Sequence, residues 1–408
     1  MAHKPANKIQ DLQFFGEFGG VNPSISDSST FTFMTAKSMM DVFEGEQEGC
    51  YLYSRHSSPS TEYLAKALAQ VENTEAAQVF ASGMGAISTT LMQLCKQGEH
   101  IVTSRTIYGG SYAFMKHFFP QFGVETSFVD ITDLSSVEDA IQPKTKIIYC
   151  ESLSNPLLEV ADLQALSNLA KKYGLTLVVD NTFSPLCITP ANHGADVVIH
   201  SLTKFINGSS DTVAGVVCGS TEFIDAIKDV NHGAGMFLGQ TLDSLRAASI
   251  LKNLQTLPIR MQKHSENAMY LAHYFNDLGL KCAYPGLKNH KGYALFKKQS
   301  NSEFGFSGLF TLDLDSIEKA TEFMELMQLE NVGYLAVSLG FYKTLFTASG
   351  SSTSSEIPED EQREMGLSPG LVRFSIGLDH DIQRTAMKIE KCLVACGVIS
   401  TPKSLDLY

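Results

Sequence analysis

The chain contains no tryptophan, no paired-cysteine motif and no long apolar run. Its eight cysteines (Cys50, Cys95, Cys150, Cys187, Cys218, Cys282, Cys392 and Cys396) are scattered, with neither a CxxC pair nor a metal-ligand spacing. A disulfide framework and a zinc site are therefore not predicted, and no metal is expected. Most of these cysteines sit inside apolar runs, as buried free thiols do, which suits a reducing compartment. No apolar stretch reaches the roughly 18 residues of a spanning helix, and residues 1–8 lack an apolar signal core. A cytoplasmic protein with no membrane partner is expected. Charge is also scarce, at 18% of residues, against about a quarter in ordinary domains. What charge there is leans acidic, with 31 Lys and Arg against 44 Asp and Glu and a net −13. That balance disfavours nucleic acid as a partner. Few charges and 44% hydrophobic residues in a 408-residue chain point to extra buried surface, either a doubly covered sheet or a subunit contact.

Three regions differ in pattern. Residues 1–60 are rich in Ser, Thr, Phe and Gly with weak periodicity, and read as an arm lying on something else. Across 61–256 short apolar runs at 78–81, 100–103, 125–129, 146–150, 176–180, 197–200 and 213–218 alternate with helical stretches such as 88–95 and 162–173. This spacing predicts an α/β domain with a mostly parallel seven-stranded sheet covered on both faces. A helical stretch over 241–278 leads, near Leu257-Pro258, into an α+β domain over 257–408. That domain has strands at 308–313 and 371–376 and helices at 316–329 and 382–396. A serine-rich segment at 349–355 reads as an insert.

The chemistry-bearing residues follow strands. The strand over 196–199 runs into a polar loop with Ser201, Thr203 and Lys204. A lysine desolvated at a strand end acquires a lowered pKa and becomes nucleophilic, as a Schiff-base lysine must be; an exposed loop lysine is the ordinary alternative. Ser82-Gly83-Met84-Gly85 opens a helix after the first strand, where bare N–H groups can bind phosphate. A dinucleotide fingerprint fails there, because its sixth position is Ser88 and the second strand ends at Thr103-Ser104 without an acid. Asp180 ends a strand, either as a turn acid or as a partner for a pyridinium nitrogen. Glu151 ends the strand before it, with Asn155-Pro156 just beyond. Tyr108, beside Gly109 and Gly110, has a ring open for stacking. Arg373, within an apolar strand, needs an anion: a substrate carboxylate or a structural acid.

These pieces resemble, in order, the trans-sulfuration (Cys/Met metabolism) family of fold-type-I pyridoxal-phosphate enzymes. The resemblance rests on Tyr53-x-Arg55, Ser82-Gly-Met-Gly-Ala-Ile87, Tyr108-Gly-Gly110, Glu151-Ser-x-x-Asn155-Pro156, Val179-Asp-Asn-Thr-Phe183, His200-Ser-x-Thr-Lys204, Ala336-Val-Ser-Leu-Gly340 and Gly370-Leu-Val-Arg373. It implies pyridoxal 5′-phosphate as cofactor, with Lys204, Tyr108 and Asp180 catalytic. Gly83, Met84, Ser201 and Thr203 would bind the phosphate, joined by Tyr53 and Arg55 from a neighbouring subunit of a homo-oligomer, a dimer of dimers. Arg373, Ser338 and Asn155 would bind the substrate carboxylate. The implied reaction is α,γ-elimination of L-methionine. The alternatives are a γ-replacement on an O-acylhomoserine, a cystathionine lyase or synthase and, outside catalysis, a pyridoxal-phosphate-binding protein. Val337 stands where cystathionine-processing relatives usually carry a glutamate, so cystathionine is expected to be at least about a hundredfold poorer a substrate. Two departures stand out. Ser58-Pro59-Ser60 replaces the family's Asn-Pro-Thr, and Gly110 stands where many bacterial relatives carry a cysteine.

Overall fold

The computed structural model describes residues 3–44, 49–349 and 357–400; the insert at 349–355 lies, Ser349 apart, outside them. Seven strands form the first sheet: β1 (Ala76–Phe80), β2 (His100–Ser104), β3 (Glu125–Val129), β4 (Thr145–Glu151), β5 (Thr176–Asp180), β6 (Val197–Ser201) and β7 (Gly215–Gly219). Their order is β1-β7-β6-β5-β4-β2-β3, with β2 to β6 mutually parallel and β7 antiparallel to both neighbours. Side chains alternate between two cores. Ile148, Cys150, Val179 and Val198 face a cluster with Leu64, Leu68, Leu166 and Ile250, while Ile147, Tyr149, Val178 and Ile199 face Ile87, Leu91, Ile224 and Ile227. A sheet covered on both faces must be apolar throughout, which is why these strands read as unbroken runs. Each such side chain, once fully buried, contributes roughly 1.5–3 kcal/mol.

The arm divides. Helix Pro5–Gln10 packs on helix Pro59–Glu72, with Ile9 buried among Leu64 and Leu68. Beyond it Phe15, Phe18 and Met34 are 83, 99 and 95% exposed. Ser58 caps helix Pro59–Glu72 in a reciprocal box with Thr61. The serine thus does what the family's asparagine would do at a helix start.

The expected 241–278 helix is two, Ser244–Leu254 and Leu257–Asp277, because Pro258 sits in the first turn of the second, a position that starts a helix rather than continuing one. The second sheet holds five strands rather than the two read from sequence: β8 (Lys281–Ala283), β9 (Leu309–Asp313), β10 (Tyr334–Leu335), β11 (Leu345–Ala348) and β12 (Leu371–Ser375), in the order β10-β11-β12-β9-β8. Its core is aromatic, with Phe310 and Phe374 stacked 4.7 Å apart. Among the described residues no helix is long and apolar enough to cross a membrane.

Candidate active site

Parallel strands that end together leave a crevice beyond their carboxyl ends, since the loops there turn away from one another. Here β4, β5 and β6 end at Glu151, Asp180 and Ser201, and a cavity of about 280 Å³ opens beyond them. It is closed from the other side by residues 337–339 and by Arg373 of β12. Lining it together are Gly83, Met84, Tyr108, Asn155, Asp180, Ser201, Thr203, Lys204, Val337, Ser338 and Arg373. Of the residues expected at the site only Tyr53 and Arg55 are absent from its lining. Tyr53 is half exposed; Arg55 lies against the ring of Tyr53 and donates to the Met236 carbonyl.

Lys204 leaves the end of β6 in a tight turn. Its Nζ donates to Ser338 Oγ at 3.1 Å. Burial, with Arg373 nearby, pushes its pKa down to about 8, because a desolvated ammonium is disfavoured. Arg260 supports the turn from below: its guanidinium donates to the carbonyls of Phe205, Ile206 and Asn253. Asp180 is 7% exposed, and its Oδ1 accepts the Thr182 N–H at 2.9 Å. Burial raises its pKa, which those hydrogen bonds oppose. Thr182 also joins the two strand ends, its Oγ1 accepting the Ser201 N–H at 2.8 Å. On the far side of β6, His200 pairs with the buried Glu72 at 2.7 Å.

Arg373 is buried, with Nη1 donating to Asn155 Oδ1 at 2.7 Å and Nη2 to the Ser338 carbonyl at 3.2 Å. Phe183 lies under its guanidinium, 5.8 Å from ring centre to carbon. Alternation along β12 explains an arginine inside an apolar strand: Val372 and Phe374 enter the small core while Arg373 takes the other face.

The phosphate loop is a helix from its first glycine. Gly83–Leu94 begins at the N-cap Ser82, whose hydroxyl accepts the Gly85 N–H, so the helix opens at Ser82–Gly85 as expected and runs on through the helical stretch from 88. A Cβ on Gly83 would meet Ser201 Cβ at 2.8 Å, so only glycine lets the helix end approach the Ser201 turn this closely. Gly110 has a like reason. A Cβ there would meet Tyr108 Cε1 at 2.6 Å and Met84 Sδ at 3.2 Å, and the tyrosine ring uses that space.

Together these groups fit pyridoxal 5′-phosphate. A helix N-terminus with Ser201 and Thr203 suits a phosphate. Asp180 suits a protonated ring nitrogen, Tyr108 a flat ring and Lys204 an aldehyde carbon. Thr182, Arg260 and Phe183 were not singled out from sequence. Thr182 and Phe183 stand inside the Val179-Asp-Asn-Thr-Phe183 motif, whereas Arg260 left no local signal.

The Cys/Met metabolism PLP-dependent enzyme model matches residues 8–384. A methionine gamma-lyase of Arabidopsis thaliana is 43% identical over 397 residues, covering 96% of this chain and 90% of the relative. An L-methionine gamma-lyase of Fusobacterium nucleatum is 38% identical over 89% of this chain and 91% of its own length. Among solved structures, a chain assigned as an O-acetylhomoserine (thiol)-lyase from Campylobacter jejuni superposes with a TM-score of 0.88 at 28% identity, over 96% of this chain and 99% of its own, and carries an N′-pyridoxyl-lysine-5′-monophosphate. With a cavity built for that cofactor and a family match running through nearly its whole length, the chain belongs to the Cys/Met metabolism PLP-dependent enzymes.

Proposed function

We propose that this enzyme catalyses the α,γ-elimination of L-methionine, in which one water is consumed and methanethiol, 2-oxobutanoate and ammonium are released. The observation that carries the reading is the meeting, in one cavity, of a desolvated lysine, a buried strand-end carboxylate and a pre-aimed arginine. Pyridoxal 5′-phosphate, when bound, supplies an aldehyde for amines and a ring that takes up electrons.

The chain's own residues do the rest. Arg373, held by Asn155 and the Ser338 carbonyl, binds the substrate carboxylate and fixes the amino acid's orientation. Lys204, its pKa lowered by burial to about 8, takes the proton from Cα and later from Cβ. Ser338 Oγ, 3.1 Å from its nitrogen, keeps that amine on one side of the cavity. Tyr108 delivers a proton to the departing thiolate sulfur. Asp180 would pair with the ring nitrogen, and Gly83, Met84, Ser201 and Thr203 would hold the phosphate.

Val337 is 65% exposed at the cavity mouth. Within this chain a distal ammonium there keeps part of its hydration, so the expected discrimination against cystathionine falls from about a hundredfold to roughly tenfold. A panel assay of 2-oxobutanoate and thiol with methionine, homocysteine, cystathionine and O-acetylhomoserine tests the reading. Methionine must release both products; conversion of cystathionine alone would overturn it.

Partner and compartment belong to the same proposal. Tyr53 and Arg55 lie outside their own cavity, in an arm whose Phe15, Phe18 and Met34 are bared. That supports a homo-oligomer in which the arm completes a neighbour's phosphate site. Arg55→Ala and Lys204→Ala chains, each inactive alone, should then regain activity when mixed. Mixed oligomers without any activity would contradict shared sites. The eight cysteines, none of them bonded to another and most of them buried, support a cytoplasmic location.

A further inference from the structure

Glu151 has no part in the mechanism above, yet it occupies a costly place. It is 6% exposed and lies opposite Asp180 in the register of β4 and β5. Two adjacent buried carboxylates disfavour each other's charge, and burial together with Asp180 raises the Glu151 pKa. What offsets this is a pair of short contacts. Oε1 accepts the Tyr108 backbone N–H at 2.8 Å, and Oε2 accepts the Asn155 backbone N–H at 2.7 Å. Neither donor is incidental to the cavity. Tyr108 begins the short helix Gly109–Ala113 and presents its ring to the space, while Asn155 Oδ1 receives Arg373 Nη1. One carboxylate thus ties the wall that faces a flat ring to the wall that receives a carboxylate.

We propose that Glu151 is a positioning residue, whose two oxygens hold the tyrosine backbone and the arginine-aiming asparagine at one fixed spacing. The idea deepens the functional reading and rests on its assignment of Tyr108 and Arg373. A carboxylate is the one side chain of this length whose two ends both accept. Glu151→Gln keeps the shape but turns an NH₂ toward one of the two N–H donors. Glu151→Asp keeps the charge but falls a methylene short of bridging both.

The first readout needs no turnover. In cofactor-free protein, hydrogen exchange at the amides of Tyr108 and Asn155 should quicken about tenfold in either variant, the loss of one charge-assisted hydrogen bond. Exchange in β8 and β9, which do not line the cavity, should stay as it was. In protein loaded with pyridoxal phosphate, the unreactive isostere L-norleucine, followed by cofactor absorbance, should bind about tenfold more weakly for the same reason. Glu151→Gln combined with Asn155→Ala should bind it no worse than the poorer single variant, since Glu151 acts through Asn155. Unchanged exchange, norleucine binding within twofold of the parent, or an additive double variant would each overturn the proposal. Should Glu151→Gln fail to fold, Glu151→Asp decides the same comparisons. A parent protein that turned over no methionine would defeat the functional reading while leaving the exchange and binding results to stand.

Discussion

The seven-stranded sheet meets the cavity with the ends of its strands, whereas the five-stranded sheet meets it with the side of one. At the ends of β5 and β6 the ladder has run out, so Asp180 and Lys204 gather at low backbone cost but with heavy desolvation. On β12, Arg373 is framed by ladder partners Thr311 and Thr347 and clamped by Asn155. Desolvation makes reactive groups, while a rigid strand makes an aiming device. The first region should therefore govern the chemical step and the second substrate binding.

Lys204→Ala breaks the first region most severely. Loss of the proton carrier should lower kcat for 2-oxobutanoate formation by roughly 10⁴-fold, and borohydride should trap no cofactor on the chain. Retention of a reducible lysine adduct would contradict the assignment. Asp180→Ala should leave cofactor bound yet reduce kcat about 10²- to 10³-fold, as removal of a preorganised charge does. Arg373→Ala sharpens the contrast. It should raise KM for methionine on the order of tenfold or more, the scale of one charge-assisted hydrogen-bond pair, with the smaller effect on kcat. An equal fall in kcat with KM unmoved would erase the division between the sheets. The smallest effect belongs to Val337→Glu. Half in solvent, the new acid should improve kcat/KM for cystathionine by roughly tenfold, measured against methionine in competition.

Acidification reports on the packing of helix Leu257–Asp277. His264, buried on helix Leu257–Asp277, hydrogen-bonds the Ile376 carbonyl at 2.6 Å and is held down to about 4 by burial. The unfolded chain takes up that proton near 6.5, so stability is full above 6.5 and falls as pH drops from there toward 4. His264→Phe should flatten a thermal-melting profile across that window.

Much of the large sheet was legible because its strands are buried on both faces, and each ends in a polar loop that announces itself. Lys204, Asp180 and Tyr108 could be found because strand, turn and reactive side chain lie within ten residues of one another. The short strands β8 and β10, three and two residues long, offer too little period to register. The join at Gln255-Thr256 hides in an otherwise helical pattern, and only Pro258 marks it. Arg260 supports the Lys204 turn from over 50 residues away, and Glu151 reaches Tyr108 across 43. Such ties are made by the folded topology and leave no local pattern to read.

The account stands or falls on Lys204 being an amine whose proton burial has loosened. In cofactor-free protein, the rate at which an amine-acylating reagent labels Lys204, read by peptide mass spectrometry from pH 6 to 11, measures this directly. A folded pKa below the unfolded value means the neutral amine gains ground on passing through the lower value. Labelling should therefore rise with a midpoint near 8, well ahead of surface lysines near 10.5. A midpoint at the surface value would show a solvated, unactivated lysine and contradict the site as described.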